Sequence, residues 1–343
     1  MAANYWNSTQ FRFWTFSKPK LALMRRSLED ENKDLVQKFA LPDRRLLSVY
    51  FSSRAWLCGL PVSLLTGPEL NKLVRRLKLS QQAVATAQVY VRRVYTKVEI
   101  RRTNPNLVLV TALYLACKME ESPQHIRMIL GEAKQAWQGT FSPLSISTPA
   151  NRYCIDIVLP DTSKLGECEF HIISELNSQL IIHHPYRSLA DLENSWKLTH
   201  EEHSVAEYLI NDHYLTDMPL LHPPHVIAVT AMVLAVTLGP PQAQAGLNML
   251  SAANMQSAMA NLANAGGAAG GGTAATGGGG GGGGSPARVQ HFMNWLAETT
   301  IDIDAVADCV QEFISLYEVW ETYNEKLCKD QINRFIKARG LEK

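Results

Sequence analysis

Apolar residues along this chain recur at steps of three and four, and strand-like alternation is nearly absent. That period marks helices with one face turned toward a core. After Ser17, which can serve as an N-cap, residues 19–40 place Leu21, Met24, Leu28, Leu35 and Phe39 among many charges. This predicts one amphipathic helix stopped near Pro42. Residues 81–97 carry Val84, Ala87, Val91 and Val94 at the same spacing. Asn104-Pro105 opens the next stretch, 105–121, whose run LVLVTALYLAC leaves no polar face. A helix apolar all round must be covered on most sides, so this one belongs at the centre of a bundle. The pattern returns over 165–180, with Leu165, Cys168, Ile172, Leu176 and Leu180. It continues over 201–215, over 223–238 opened by Pro223-Pro224, and over 303–325. The last has Val306, Cys309, Val310, Phe313, Tyr317 and Trp320 on one stripe. Two successive bundles, each round a hydrophobic helix opened by proline, predict an all-α architecture with two similar halves.

Three stretches break the pattern. Residues 54–70 contain Pro61, Gly67 and Pro68, which interrupt a helix, and 139–163 are rich in Pro, Ser and Thr. Both read as irregular insertions, either lineage-specific loops or mis-spliced sequence. Residues 239–286 hold NAGGAAGGGTAATGGGGGGGGS, a Gly/Ala tract with little to bury, and read as a disordered loop. The glycines from Gly277 to Gly284 lack the Lys-Ser/Thr and the strand-to-helix context of a phosphate loop. The apolar run at 226–239 is bracketed by prolines and is shorter than the roughly 20 residues a bilayer span needs, so it reads as a buried helix.

Composition narrows the choice of partners. The 343 residues are enough for two modest cores. With 46% hydrophobic and 19% charged residues and a formal net charge of +1, the chain lacks the surplus of Lys and Arg that phosphate-backbone binding requires. Protein partners are the expectation. The six cysteines, Cys58, Cys117, Cys154, Cys168, Cys309 and Cys328, are scattered without metal-ligand or redox spacing, and read as buried free thiols. The N-terminus has no basic start followed by an apolar core, so no secretory signal is expected there. His183-His184 lacks Cys or carboxylate partners at ligand spacing and reads as a turn, with no metal or other cofactor expected. No nucleophile–base constellation is visible, and the kinase set of Gly-rich loop, HRD and DFG is missing, so action by binding rather than catalysis is expected.

Two strings carry a family resemblance. ATAQVYVRRVYTKVEIRRTNPNLVLVTALYLACKMEE, residues 85–121, resembles the heart of a cyclin box: a helix, a loop to a proline, and a buried helix ending in A-[SC]-K-x-E-E. GECEFHIISELNSQLIIHHPYRSL, residues 166–189, is similar to the last helix of a first box and its link to a second. With NDHYLTDMPLLHPPHVIAVTA and SLYEVWETYNEK, the resemblance covers most of the chain and points, within the cyclins, to the fungal cyclin C type of the RNA polymerase II holoenzyme. It implies tandem five-helix cyclin boxes after an N-terminal helix. The division is then an N-terminal segment 1–41, a first box 42–182, a second box 183–327 and a C-terminal tail 328–343. Ala85, Ala87, Ala112 and Ala116 suit such a core, because small residues let helices approach closely.

The resemblance also implies a site. In cyclins a lysine ending the buried helix and a glutamate on the following long helix grip the kinase's regulatory helix through backbone groups. The matching residues are Lys118 in ACKMEE and Glu169 in ECEF, with Glu120, Glu121 and Tyr114 as weaker candidates. Lys supplies donors to carbonyls and Glu accepts from amides, so the chemistry fits. Spacing alone allows a plainer view in which Lys118 and Glu169 are solvated charges or pair with each other. Many cell-cycle cyclins have an Asp where Arg92 stands, so the usual Arg–Asp bridge and the substrate groove built on it are not expected. The aromatics Tyr5, Trp6, Phe11, Phe13 and Trp14 read as a segment packed on the body, with Tyr5, Trp6 and Trp14 as partner-docking candidates.

The implied function is a regulatory subunit that switches on a cyclin-dependent kinase of the Mediator kinase module. It would act with other subunits of that module in the nucleus, toward the RNA polymerase II C-terminal domain and transcription factors. Neither direct nucleic-acid contact nor a membrane is expected. The competing reading is a transcription factor IIB-like protein, whose cyclin boxes bind DNA; the neutral charge and missing zinc ribbon weigh against it.

Overall fold

A computed structural model describes residues 4–56, 79–137, 162–238, 252–267 and 286–341. No strand occurs among them. The chain divides into two compact units, the first made of Met1–Ile182 with Asn324–Lys343, the second of His183–Tyr323.

The first unit holds α1 (Thr9–Trp14), α2 (Lys18–Glu31), α3 (Lys33–Lys38), α4 (Arg44–Trp56), α5 (Gln81–Val94), α6 (Pro105–Met119), α7 (Ile126–Trp137) and α8 (Thr162–Glu175). Short 3₁₀ turns at Tyr5–Asn7 and Ile100–Arg102 join them. α6 is the centre. Pro105 occupies its first turn, and Asn104 Oδ1 caps it by accepting from the backbone N–H of Asn106 and Leu107. Val108 through Leu113 and Leu115 through Cys117 are all buried, and α4, α5, α7 and α8 surround them. Ala85, Ala87, Ala112 and Ala116 have no exposed surface, which fits the close packing of α5 on α6.

The second unit holds α9 (Pro185–Trp196), α10 (His200–His213), α11 (Met218–Leu221), α12 (Pro224–Leu238), α13 (Ala252–Gly267), α14 (Pro286–Glu298) and α15 (Ile303–Glu321). α12 is its central helix, buried along its length except at His225 and packed by α9, α10, α13, α14 and α15. α10 starts in a capping box, with Thr199 and Glu202 each satisfying the other's backbone N–H.

Several expectations are corrected. The single helix over 19–40 is two, because Asn32 leaves helical geometry (φ −120°, ψ 31°) and turns its side-chain amide to the Leu28 carbonyl at 2.7 Å. The expected loop 239–286 contains α13. Its Met255 and Ala258 are buried and Met259 is half-buried, so an alanine-rich stretch forms a helix once a core face is offered. The rest of that tract lies outside the described residues, as do 57–70 and 139–161. The stripe over 303–325 ends at Glu321, and the expected tail 328–343 is mostly a further helix, α16 (Glu325–Arg339). Asn324 caps its start, and Gly340 closes it at φ 63°. Cys328, Ile332, Phe335 and Ile336 are buried at helical spacing, and α16 packs against α4 in the first unit rather than trailing from the second. The HHPYR string is the entry to α9, with His184 at its N-cap position. Helices α7, α9 and α14 were not anticipated.

Candidate functional site

The site is built at the C-terminal end of α6. The last turn closes with Glu121 in the left-handed region (φ 54°) and Ser122 N–H donating back to the Cys117 carbonyl at 2.9 Å. That turn lifts Lys118 and Met119 outward. Lys118 Nζ donates to Glu169 Oε1 on α8 at 2.7 Å and lies 4.4 Å from the Tyr114 ring centroid. The lysine side chain is 41% exposed and the carboxylate 16%. Burial would lower the lysine's pKa, but the bond and charge of Glu169, with Tyr114 beside it, raise it above its ordinary value. The ammonium therefore stays charged, held by Glu169 with Tyr114 beside it.

The structure brings Lys118, Glu169 and Tyr114 together. Glu120 is drawn back, its Oε1 accepting from the Thr86 hydroxyl on α5 at 2.6 Å, and Glu121 is exposed beyond the turn. Sequence reasoning missed Phe170 and Met119. Phe170 stands 76% exposed on α8 next to Glu169, and Met119 is exposed next to Lys118. The signal was available in ECEF, where an aromatic follows the candidate acid out of step with the buried Leu165, Ile172 and Leu176. An ion pair flanked by exposed apolar side chains can seat a helix: the charges satisfy its backbone groups and the apolar pair covers its side.

Residues 69–148 match the family model described as Cyclin, N-terminal domain. Over its full length the chain is 47% identical to the whole RNA polymerase II holoenzyme cyclin-like subunit of Aspergillus oryzae. It is 44% identical to that of Neurospora crassa, again with both chains covered completely. The chain belongs to this cyclin family. Solved structures show the same fold. A chain of the Chaetomium thermophilum CAK complex bound to ATP-gamma-S aligns with TM-score 0.55 at 17% identity, covering 99% of this cyclin and 88% of that chain. A chain of the yeast TFIIK (Kin28/Ccl1/Tfb3) complex aligns with TM-score 0.54 at 15% identity, covering 91% and 100%.

Other candidates in this cyclin are placed as follows. Arg92, on the outer side of α5, donates from Nη1 to Ser48 Oγ of α4 at 3.1 Å. The N-terminal aromatics divide. Tyr5, Trp6 and Phe11 pack edge to face, with Trp6 and Phe11 exposed. Trp14 is corrected as a docking candidate: it is 2% exposed, and its indole N–H donates to Gln179 Oε1 at 2.6 Å. The partner of that large ring is the body of the first unit. In the second unit His184 shares a 2.6 Å hydrogen bond with the Tyr214 hydroxyl. Burial, with Arg187 nearby, lowers the pKa of His183. Cys117, Cys168, Cys309 and Cys328 are thiols rather than disulfides, and burial pushes Cys117 up to about 11, which leaves it unreactive. Among the described residues no group of three or more His, Cys, Asp or Glu is placed to hold a metal ion.

Proposed function

We propose that this cyclin binds and activates a cyclin-dependent kinase of the Mediator kinase module, and so regulates RNA polymerase II transcription from the nucleus. Membership of the RNA polymerase II holoenzyme cyclin-like subunits supports that setting. The observation that carries the interface is the Lys118–Glu169 pair beside exposed Phe170 and Met119, at the end of α6 and along α8. The kinase's mobile regulatory helix lies against this face. Lys118 donates to its carbonyls, Glu169 accepts from its amides, and Phe170 and Met119 cover its apolar side. Held inward, that helix lets its own glutamate pair with the catalytic lysine, so binding energy becomes a shift toward the active kinase conformation. The chemistry is then entirely the kinase's, and the cyclin is a regulatory subunit rather than an enzyme. We assign the first cyclin box to 42–182 and the second to 183–323, with α16 returning to the first.

Co-expression with the kinase tests the reading. Lys118→Ala with Glu169→Ala is expected to abolish complex formation and kinase activity, while the cyclin's own melting temperature barely changes. Full activation by the double variant would overturn the assignment.

A further inference from the structure

The last residue of α8 and the turn that follows it, six to eleven residues beyond Glu169, are held by an unusual set of donors. Lys97 Nζ donates to the Glu175 carbonyl, Arg93 Nη1 to the Gln179 carbonyl at 2.9 Å, and the Tyr90 hydroxyl to the Leu180 carbonyl at 2.5 Å. The indole N–H of Trp14 takes the Gln179 side chain. Between these anchors Asn177 and Ser178 both sit in the left-handed region (φ 50° and 58°). Consecutive non-glycine residues persist there only when their surroundings hold them.

Arg93 is the costly member of this set. It has no exposed surface and forms no ion pair among the described residues. Its Nε and Nη2 lack hydrogen-bond partners. A buried guanidinium without a carboxylate needs another source of compensation. The one that faces it is the ring of Trp14, 4.8 Å from the guanidinium carbon, and Lys97 Nζ lies 5.3 Å from the same ring. One indole thus serves two cations, of which Lys97 holds the carbonyl of the last residue of α8 and Arg93 a carbonyl of the turn after it. It comes from the N-terminal segment, outside the box itself.

We propose that Trp14 is a positioning residue for the kinase-binding helix: its π face keeps Arg93 and Lys97 in place, and through them fixes the C-terminal end of α8 and the face bearing Glu169 and Phe170. The N-terminal segment is then a clamp on the site. The link to kinase binding rests on the interface proposed above; the clamp itself is read on the free cyclin.

The test compares Trp14→Phe, which keeps a π face, with Trp14→Leu, which keeps an apolar side chain without one. Hydrogen exchange of amides 176–182 in the free full-length protein is expected to speed up about tenfold in the Leu variant and to stay near wild type in the Phe variant, as loss of about 1.4 kcal/mol of buried cation–π attraction requires. In an Arg93→Met, Lys97→Met background, Phe and Leu should behave alike, because both charges over the ring are gone. If Trp14→Leu alone does not fold, the Trp14→Leu, Arg93→Met double variant is expected to fold; its failure would mean that Trp14 is only core volume. Equal exchange in the Phe and Leu variants also overturns the clamp. Kinase affinity should fall about tenfold with Trp14→Leu and recover with Trp14→Phe. If exchange responds and affinity does not, while Lys118→Ala with Glu169→Ala does weaken binding, the positioning role is wrong. If neither set affects binding, the kinase interface has been misplaced, and the exchange result alone supports the clamp.

Discussion

The first unit gathers 30 of the chain's 33 Lys and Arg but only 18 of its 32 Asp and Glu, and stands at +12. The second has 3 basic residues against 14 acidic ones and stands at −11. Their cores are built alike, each round a proline-opened apolar helix, α6 or α12, covered by its neighbours. Burial patterns that specify a fold are thus shared, while the surfaces that meet partners have diverged in sign. A net charge of +1 conceals this, so neutrality of the whole chain is a weaker argument against polyanion binding than the sequence suggests. The full-length relatives remain against the transcription factor IIB-like reading.

The units also differ in how they handle buried polar groups. The first buries Arg93, whose pKa burial pulls down to about 9, and offsets the charge with a ring and a carbonyl. The second half-buries Asp212, whose carboxyl pKa the loss of water raises to about 7 although the Tyr317 hydroxyl, donating at 2.6 Å, works against the rise.

The strongest test of the shared core logic is truncation in both units. Leu165→Ala and Leu209→Ala, at positions with no exposed surface, should each cost about 2–5 kcal/mol in denaturant unfolding. A loss in only one unit would break the equivalence. Next comes the functional asymmetry: Lys118→Ala with Glu169→Ala should weaken kinase binding by about a hundredfold or more. The same treatment of the second unit's His203–Glu193 pair, 3.2 Å apart, should leave the affinity unchanged in a direct binding titration.

Asp212 supplies a pH-dependent contrast. An acid with a raised folded pKa keeps its proton in the folded chain between the unfolded value of 3.8 and about 7, where the unfolded chain has lost it. Its contribution favours folding at low pH and declines as pH rises through that window. Asp212→Asn, which still accepts from Tyr317, should therefore gain melting temperature relative to wild type between pH 5 and pH 8; parallel pH curves would show the carboxyl ionised throughout. The mildest effect is chromatographic. A chain with units of +12 and −11 should be retained at low salt by both cation and anion exchangers near pH 7, whereas an evenly charged neutral chain would pass through.

Much of the fold was legible in local pattern. The stripe at 81–97, Asn104-Pro105 before an apolar run, and the run after Pro223-Pro224 each became the helix they predicted, because amphipathicity and capping act within a few residues. The ACKMEE and ECEF strings identified Lys118 and Glu169, and the fold set them 2.7 Å apart across 51 residues of chain. Phe170 falls out of step with the buried stripe of its helix, a sign that was present in the pattern; Met119 has no such local signature, because its exposure depends on which face the neighbours leave uncovered.

By itself the sequence determined an all-helical cyclin with two apolar central helices, and it singled out Lys118 and Glu169, which pair in the fold. Only the tertiary structure decided that α13 forms in a tract that reads as loop, that α16 returns to the first unit, and that Trp14 is buried with its indole over Arg93 and Lys97. The reason is physical: helix period and caps are encoded between near neighbours, whereas burial and cation–π contact are settled by groups far apart in the chain that meet only in the folded protein.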